Sequence, residues 1–182
     1  MNTRGMTWTR NIEWVSLLKL VALMGAGLLI SNLGMPQWIT GPLVNSLLIL
    51  TVLWLGVSQA IFVGMVTPLG AVISGVLPLP LLVMIPFIAM SNAILVSVFG
   101  NLRHTNQWAA LAVGAVAKAA FLFIAVTVLV AHPLSLVIAG QGQAVVVPAS
   151  IVNMMSWPQL LTALTGGMIA LGVNWTAAKL GK

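Results

Sequence analysis

The run from Trp108 to Ala131, WAALAVGAVAKAAFLFIAVTVLVA, decides the class of this fold. At 1.5 Å per residue it is long enough to cross a ~30 Å hydrocarbon layer. Its one ionisable residue, Lys118, falls about ten residues in, roughly 15 Å deep and near the bilayer centre. An ammonium at that depth costs at least a few kcal/mol unless something pairs with it. The only acid in the chain, Glu13, precedes the first hydrophobic stretch. Three solutions are open for Lys118: the uncharged form, contact with backbone carbonyls and water, or a counter-charge brought by a ligand.

The rest of the chain agrees with that run. Its 182 residues are 60% hydrophobic and 4% charged, with a mean hydropathy of +1.14. Soluble domains carry about 25% charged residues, so composition predicts an all-α polytopic membrane protein. The net charge of +6 does not point to nucleic acid, because the basic residues are scattered and no cluster alternates with exposed aromatics. With no cysteine there is no disulfide, thiolate nucleophile or Cys-ligated metal. The basic start and the apolar run Val15 to Ile30 resemble a signal peptide but lack a small-x-small cleavage site, so a retained helix is expected.

Breaks at Gly, Pro and polar clusters predict six spans over residues 1–182, read as one transmembrane domain. They are Trp14 to Leu33, Pro42 to Val57, Ser58 to Leu77, Leu81 to Gly100, Trp108 to Ala131 and Pro158 to Ala178. Between the last two, Pro133 to Trp157 reads as a long extracellular loop with interfacial or re-entrant pieces, since irregular backbone cannot face lipid. Six spans place Arg4, Arg10, Lys19, Arg103, Lys179 and Lys182 on one side, which the positive-inside rule makes cytoplasmic, both termini included. Tryptophan must form the interfacial belt alone, there being no tyrosine. Trp8, Trp14, Trp54, Trp108 and Trp175 fall near the inner boundary, and Trp38 and Trp157 near the outer one.

Catalysis finds little to work with. One Glu, no Asp, no Cys and two isolated histidines do not make a nucleophile–base pair, a carboxylate pair or a metal site. No HExxH, GxSxG or phosphate-binding glycine loop is present. No enzyme activity, cofactor or metal is expected, and active transport would need an ATPase partner. The intramembrane polar residues are few. Asn45, Thr127, Gln159 and Thr162 lie toward the outer side, Asn92 and Lys118 near mid-depth, and Asn153 and Trp157 end the long loop. For a single Asn or Thr the plainer reading is a helix-to-helix hydrogen bond, worth about 0.6 kcal/mol on average. For Lys118, ligand contact is the better one. Together with Trp38 these residues suggest an outward-opening small-molecule pocket with apolar walls and a positive floor. On the first span Ala22 and Ala26 are four apart, with Lys19 on the same face. Such spacing admits a second helix closely, though it is common in membrane packing generally. Pro68 and Pro86 mark kinks whose freed carbonyls need partners nearby.

Three stretches carry a family likeness: Gln37-Trp38-Ile39-Thr40-Gly41-Pro42-Leu43-Val44-Asn45, then Thr67-Pro68-Leu69, then Ile85-Pro86-Phe87-Ile88-Ala89-Met90-Ser91-Asn92. With the ending Trp157-Pro158-Gln159-Leu160-Leu161-Thr162-Ala163-Leu164-Thr165-Gly166-Gly167, the chain resembles the substrate-binding S components of energy-coupling factor (ECF) transporters over nearly its whole length. That resemblance implies a six-helix receptor in the bacterial cell membrane. Such a receptor takes up a vitamin or similar micronutrient from its outer half and passes it on through a transmembrane coupling subunit driven by two cytoplasmic ATPases. It implies that Ala22 and Ala26 match the Ala-x-x-x-Ala motif which contacts the coupling subunit. No cargo-specific signature stands out. Lys118 argues for an anionic or electron-rich cargo, and scarce acids argue against a cationic one. The family includes haem importers, for which His132, Met154 and Met155 would be the facing residues. The competing classes are a self-contained secondary transporter or channel, which usually places acids in the membrane, and a purely structural membrane subunit.

Overall fold

The computed structural model describes residues 3–73, 75, 79–132, 135–138, 141–144 and 146–181. Six long helices account for most of them: α1 (Thr3–Asn32), α2 (Gln37–Trp54), α3 (Val57–Ile73), α4 (Leu79–Leu102), α5 (Gln107–Ala131) and α7 (Trp157–Leu180). The connection from α5 to α7 holds a two-stranded antiparallel hairpin, β1 (Ser135–Ile138) with β2 (Gln141–Ala144), in which Ser135 pairs with Ala144 and Ile138 with Gln141. A single-turn-and-a-half helix, α6 (Ala149–Met154), follows. The stretch expected to be a loop thus contains its own short pairing, which satisfies backbone groups locally.

Five helical segments are long and apolar enough to cross a membrane, and α3, at 17 residues, is shorter. This is a multi-pass membrane protein by length and composition. Helix starts and stops differ from the apolar pattern where polar residues turn inward rather than end a helix. The second helix begins at Gln37, not Pro42, because Gln37 and Thr40 face the protein interior. Thr40 Oγ1 donates to Met35 O at 3.0 Å, tying the entry to the new helix. The third helix ends at Ile73; the expected remainder to Leu77 falls largely outside the described residues. Gly56, with φ +106°, makes the tight link from α2 to α3, a conformation that β-carbons disfavour. Asn106 caps α5 by accepting from Trp108 N (2.9 Å) and Ala109 N (3.1 Å), satisfying donors that the first helical turn leaves open.

Helix α1 is peripheral. Only 6% of its apolar window is buried, against 33–39% for the other candidate spans. It packs mainly on α3, where a β-carbon on Gly27 would meet Thr67 Oγ1 at 2.7 Å and one on Gly70 would collide with Leu28 O. The interior divides into two apolar clusters. One joins Leu48, Ile49, Val52, Val63, Leu95, Phe99, Leu111 and Ala170. The other joins Met84, Leu122, Val126, Leu129, Ile151 and Met155. Along α4 the clusters are separated at Asn92, and along α5 at Lys118. A polar layer therefore crosses the bundle between two apolar clusters.

Candidate functional site

Three helices build that layer from their middles. Lys118 on α5 donates from Nζ to Asn45 Oδ1 on α2 at 2.6 Å and to Asn92 Oδ1 on α4 at 2.7 Å. All three are almost completely buried, at 3%, 1% and 1% exposure respectively. The lysine's protein partners are therefore a pair of side-chain amides, which the three solutions raised from sequence did not include; the uncharged form and a ligand's counter-charge both stay compatible with them. Asn45, expected nearer one end than Lys118, lies at the same level.

A proline sets the polarity of one amide. Pro68 has no N–H, so Gly64 O, four residues before it in α3, loses its helical donor. Asn92 Nδ2 takes that place at 3.0 Å. With its nitrogen committed to a carbonyl, Asn92 can only turn its oxygen to Lys118, because the reverse orientation would set donor against donor. The approach depends on Gly64, where a β-carbon would sit 3.0 Å from Asn92 Cβ. The kink at Pro68 thus orients a polar group at the centre of the site.

Above the layer is a cavity of about 140 Å³. Lys118, Asn45 and Asn92 form its floor. Val44, Pro68, Ile85, Ile88 and Met155 supply apolar wall, and Ser31, Gln37, Leu81 and Gln159 lie toward the end of the bundle that carries the α1–α2, α3–α4 and α5–α6 connections. Gln159 Nε2 donates to Met154 O at 3.3 Å, and to Met155 Sδ at 3.8 Å, holding the connection against the start of α7.

Four sequence candidates, Lys118, Asn92, Asn45 and Gln159, share this cavity. The others take different places. Thr162 is buried behind it, where a β-carbon on Gly41 would meet Thr162 Cβ at 2.8 Å, and its hydroxyl donates to Gln159 O. Trp38 and Trp157 pair at 5.5 Å between ring centroids on the surface at the same end, and Trp157 Nε1 donates to Asn153 Oδ1 at 3.2 Å. These three border the cavity's end without lining it. Thr127 is exposed and spends its hydroxyl on Phe123 O and Ile124 O of its own helix. His132 is exposed at the end of α5, away from the cavity that Met155 lines. Gln37, Thr67, Pro68 and Ile88 line the cavity without having been expected there, while Met155, expected to face only a haem cargo, lines it too. Only Pro68 carried a signal, the carbonyl that it frees. On α1, Lys19 and Ala22 are exposed, while Ala26 packs partly against the core and Gly25 beside it has no neighbour within 4 Å.

The arrangement defines a multi-pass helical membrane protein with a small, mostly apolar cavity floored by one lysine and two amides. Comparison with known proteins adds no relative: no family model, no curated protein and no solved structure matches the chain.

Proposed function

We propose that this protein is the membrane-embedded substrate receptor of an ATP-driven importer, an S component of the ECF type. The observation that carries this reading is the cavity floored by Lys118, because a lysine buried in an apolar bundle without an acid beside it has a ready use as the anchor of a bound molecule. The likeness of the Gln37–Asn45, Thr67–Leu69 and Ile85–Asn92 stretches supports it, since three of those segments contribute to the cavity. The peripheral α1 supports it as well, as a helix left free for a coupling subunit. In this proposal six helices span the membrane, α3 being the short one at ~25 Å. The end bearing Arg103 and Lys179 is cytoplasmic by the positive-inside rule, and the cavity opens outward.

The test is chemical analysis of small molecules extracted from the detergent-purified protein, alongside Lys118→Met and liposome uptake. The expected outcome is one small molecule retained by wild type and lost from a folded Lys118→Met variant, with no uptake by the isolated protein. Uptake into liposomes without any ATPase would instead establish a self-contained carrier. A folded wild-type protein that neither retains nor binds any small molecule would leave a structural subunit as the remaining class.

A further inference from the structure

The floor of the cavity has a direction of hydrogen bonding that can be read bond by bond. Asn92 has spent both halves of its amide, the nitrogen on Gly64 O and the oxygen on Lys118. Asn45 has spent its oxygen on Lys118. Its nitrogen is bonded to no described group, yet among the described residues no side-chain nitrogen or oxygen sealed from solvent lacks a partner. Asn45 Nδ2 therefore opens on the cavity that Asn45 lines. An ammonium has three donors and no acceptor; two of Lys118's are taken and the third is left for the same space. The free donors of the floor are thus two neighbours, one of them on a cationic side chain, while each amide oxygen already accepts from Lys118. The walls are mostly apolar, with Ser31, Gln37, Thr40, Thr67 and Gln159 among them, and no carboxylate of the described residues lines the cavity. Its volume, about 140 Å³, is close to the ~150 Å³ that holds a benzene molecule in a dry protein cavity.

Resting on the receptor reading above, we infer that the bound molecule is a small monocarboxylate whose apolar body is about the size of a single six-membered ring, seated head-down with its two oxygens on Lys118 Nζ and Asn45 Nδ2. A carboxylate supplies two acceptors on one carbon, matching two neighbouring donors. It also brings the negative charge that makes an ammonium tolerable at this depth. A cationic head on this floor would meet the charge of Lys118, a neutral alcohol can accept from both donors but brings no negative charge, and a body of three fused rings is larger than the cavity's volume of about 140 Å³.

The experiment uses the full-length protein in detergent, stripped of retained ligand, with benzoate, benzyl alcohol, benzylamine and anthracene-9-carboxylate as probes. Binding is followed by calorimetry and by the thermal shift of tryptophan fluorescence. Benzoate is expected to bind at least tenfold more tightly than benzyl alcohol or benzylamine, and anthracene-9-carboxylate not to enter. Asn45→Asp, of the same shape, places a carboxylate against Lys118 and removes the amide donor. It is expected to stay folded and to weaken benzoate at least a hundredfold. Equal binding of benzylamine and benzoate, undiminished benzoate affinity in Asn45→Asp, or a retained native ligand that is cationic or multi-ring would each overturn the carboxylate assignment while leaving a receptor in place. A folded protein that binds none of the probes and retains no native molecule overturns both.

Discussion

Asn92→Leu tests the central layer most directly. The substitution removes the acceptor that Lys118 holds at 2.7 Å and the donor that Gly64 O receives at 3.0 Å. Both groups are buried, and each buried polar group left without a partner costs about 1–3 kcal/mol. The upper bound is therefore about 6 kcal/mol. The cost falls below that bound because Lys118 keeps Asn45, and because helices dispersed in lipid find substitute partners, so that interhelical bonds average only ~0.6 kcal/mol. A loss of about 2–3 kcal/mol is expected, read as equilibrium unfolding in mixed micelles by tryptophan fluorescence. The sharper quantity is the coupling between sites. Once Lys118→Met has removed the ammonium, Asn92→Leu orphans only Gly64 O. The double variant should then be less damaged than the sum of the singles by about 1.5 kcal/mol, the lower range for a bond to a charged group. Additivity within about 0.5 kcal/mol, as for sites that do not touch, would show that Lys118 and Asn92 are not in contact.

Two further outcomes follow from how the helices approach one another. A β-carbon on Gly166 would collide with Pro42 O and meet Asn45 Cβ at 2.8 Å, so Gly166→Ala should push α7 off α2, cost about 1–3 kcal/mol in the same unfolding assay and displace Asn45 from Lys118. Gly25→Ala, with nothing within 4 Å, should be neutral or slightly stabilising; equal losses for the two would sink the packing argument. If the chain is the proposed receptor, Ala22→Trp on α1 should leave fold and ligand binding intact but block co-purification with a coupling subunit and ATP-dependent uptake, because Ala22 is exposed. Ala26→Trp should lower stability too, because Ala26 packs against the core; unimpaired complex assembly in Ala22→Trp would remove α1 from the coupling surface.

The membrane class and the approximate helices were legible in the sequence because they depend on local composition. An apolar run of span length must be helical in lipid whatever surrounds it. Lys118 announced itself for the same reason, as a charge where lipid permits almost none. Asn45, Asn92 and Gln159 could be placed on the right helices by counting along the chain. Their meeting could not be counted. Asn45 lies 73 positions from Lys118 and Asn92 lies 26 from it, and contact depends on the rotation and axial offset of three helices.

Those offsets are set by close approaches at single glycines. Gly64 lets Asn92 reach α3, and Gly166 lets α7 lie against the backbone of α2. The same small residues elsewhere in the chain, such as Gly25, meet nothing. Periodicity alone does not distinguish the two cases. The proline at 68 showed that a carbonyl would be free, and only the packed bundle decided that an asparagine of α4 would take it. The sequence by itself determined that a membrane helix carries an unpaired lysine. The tertiary structure decided that two amides hold it with their oxygens, leaving the donors to face the cavity, because hydrogen-bond direction belongs to the assembled pair rather than to either residue.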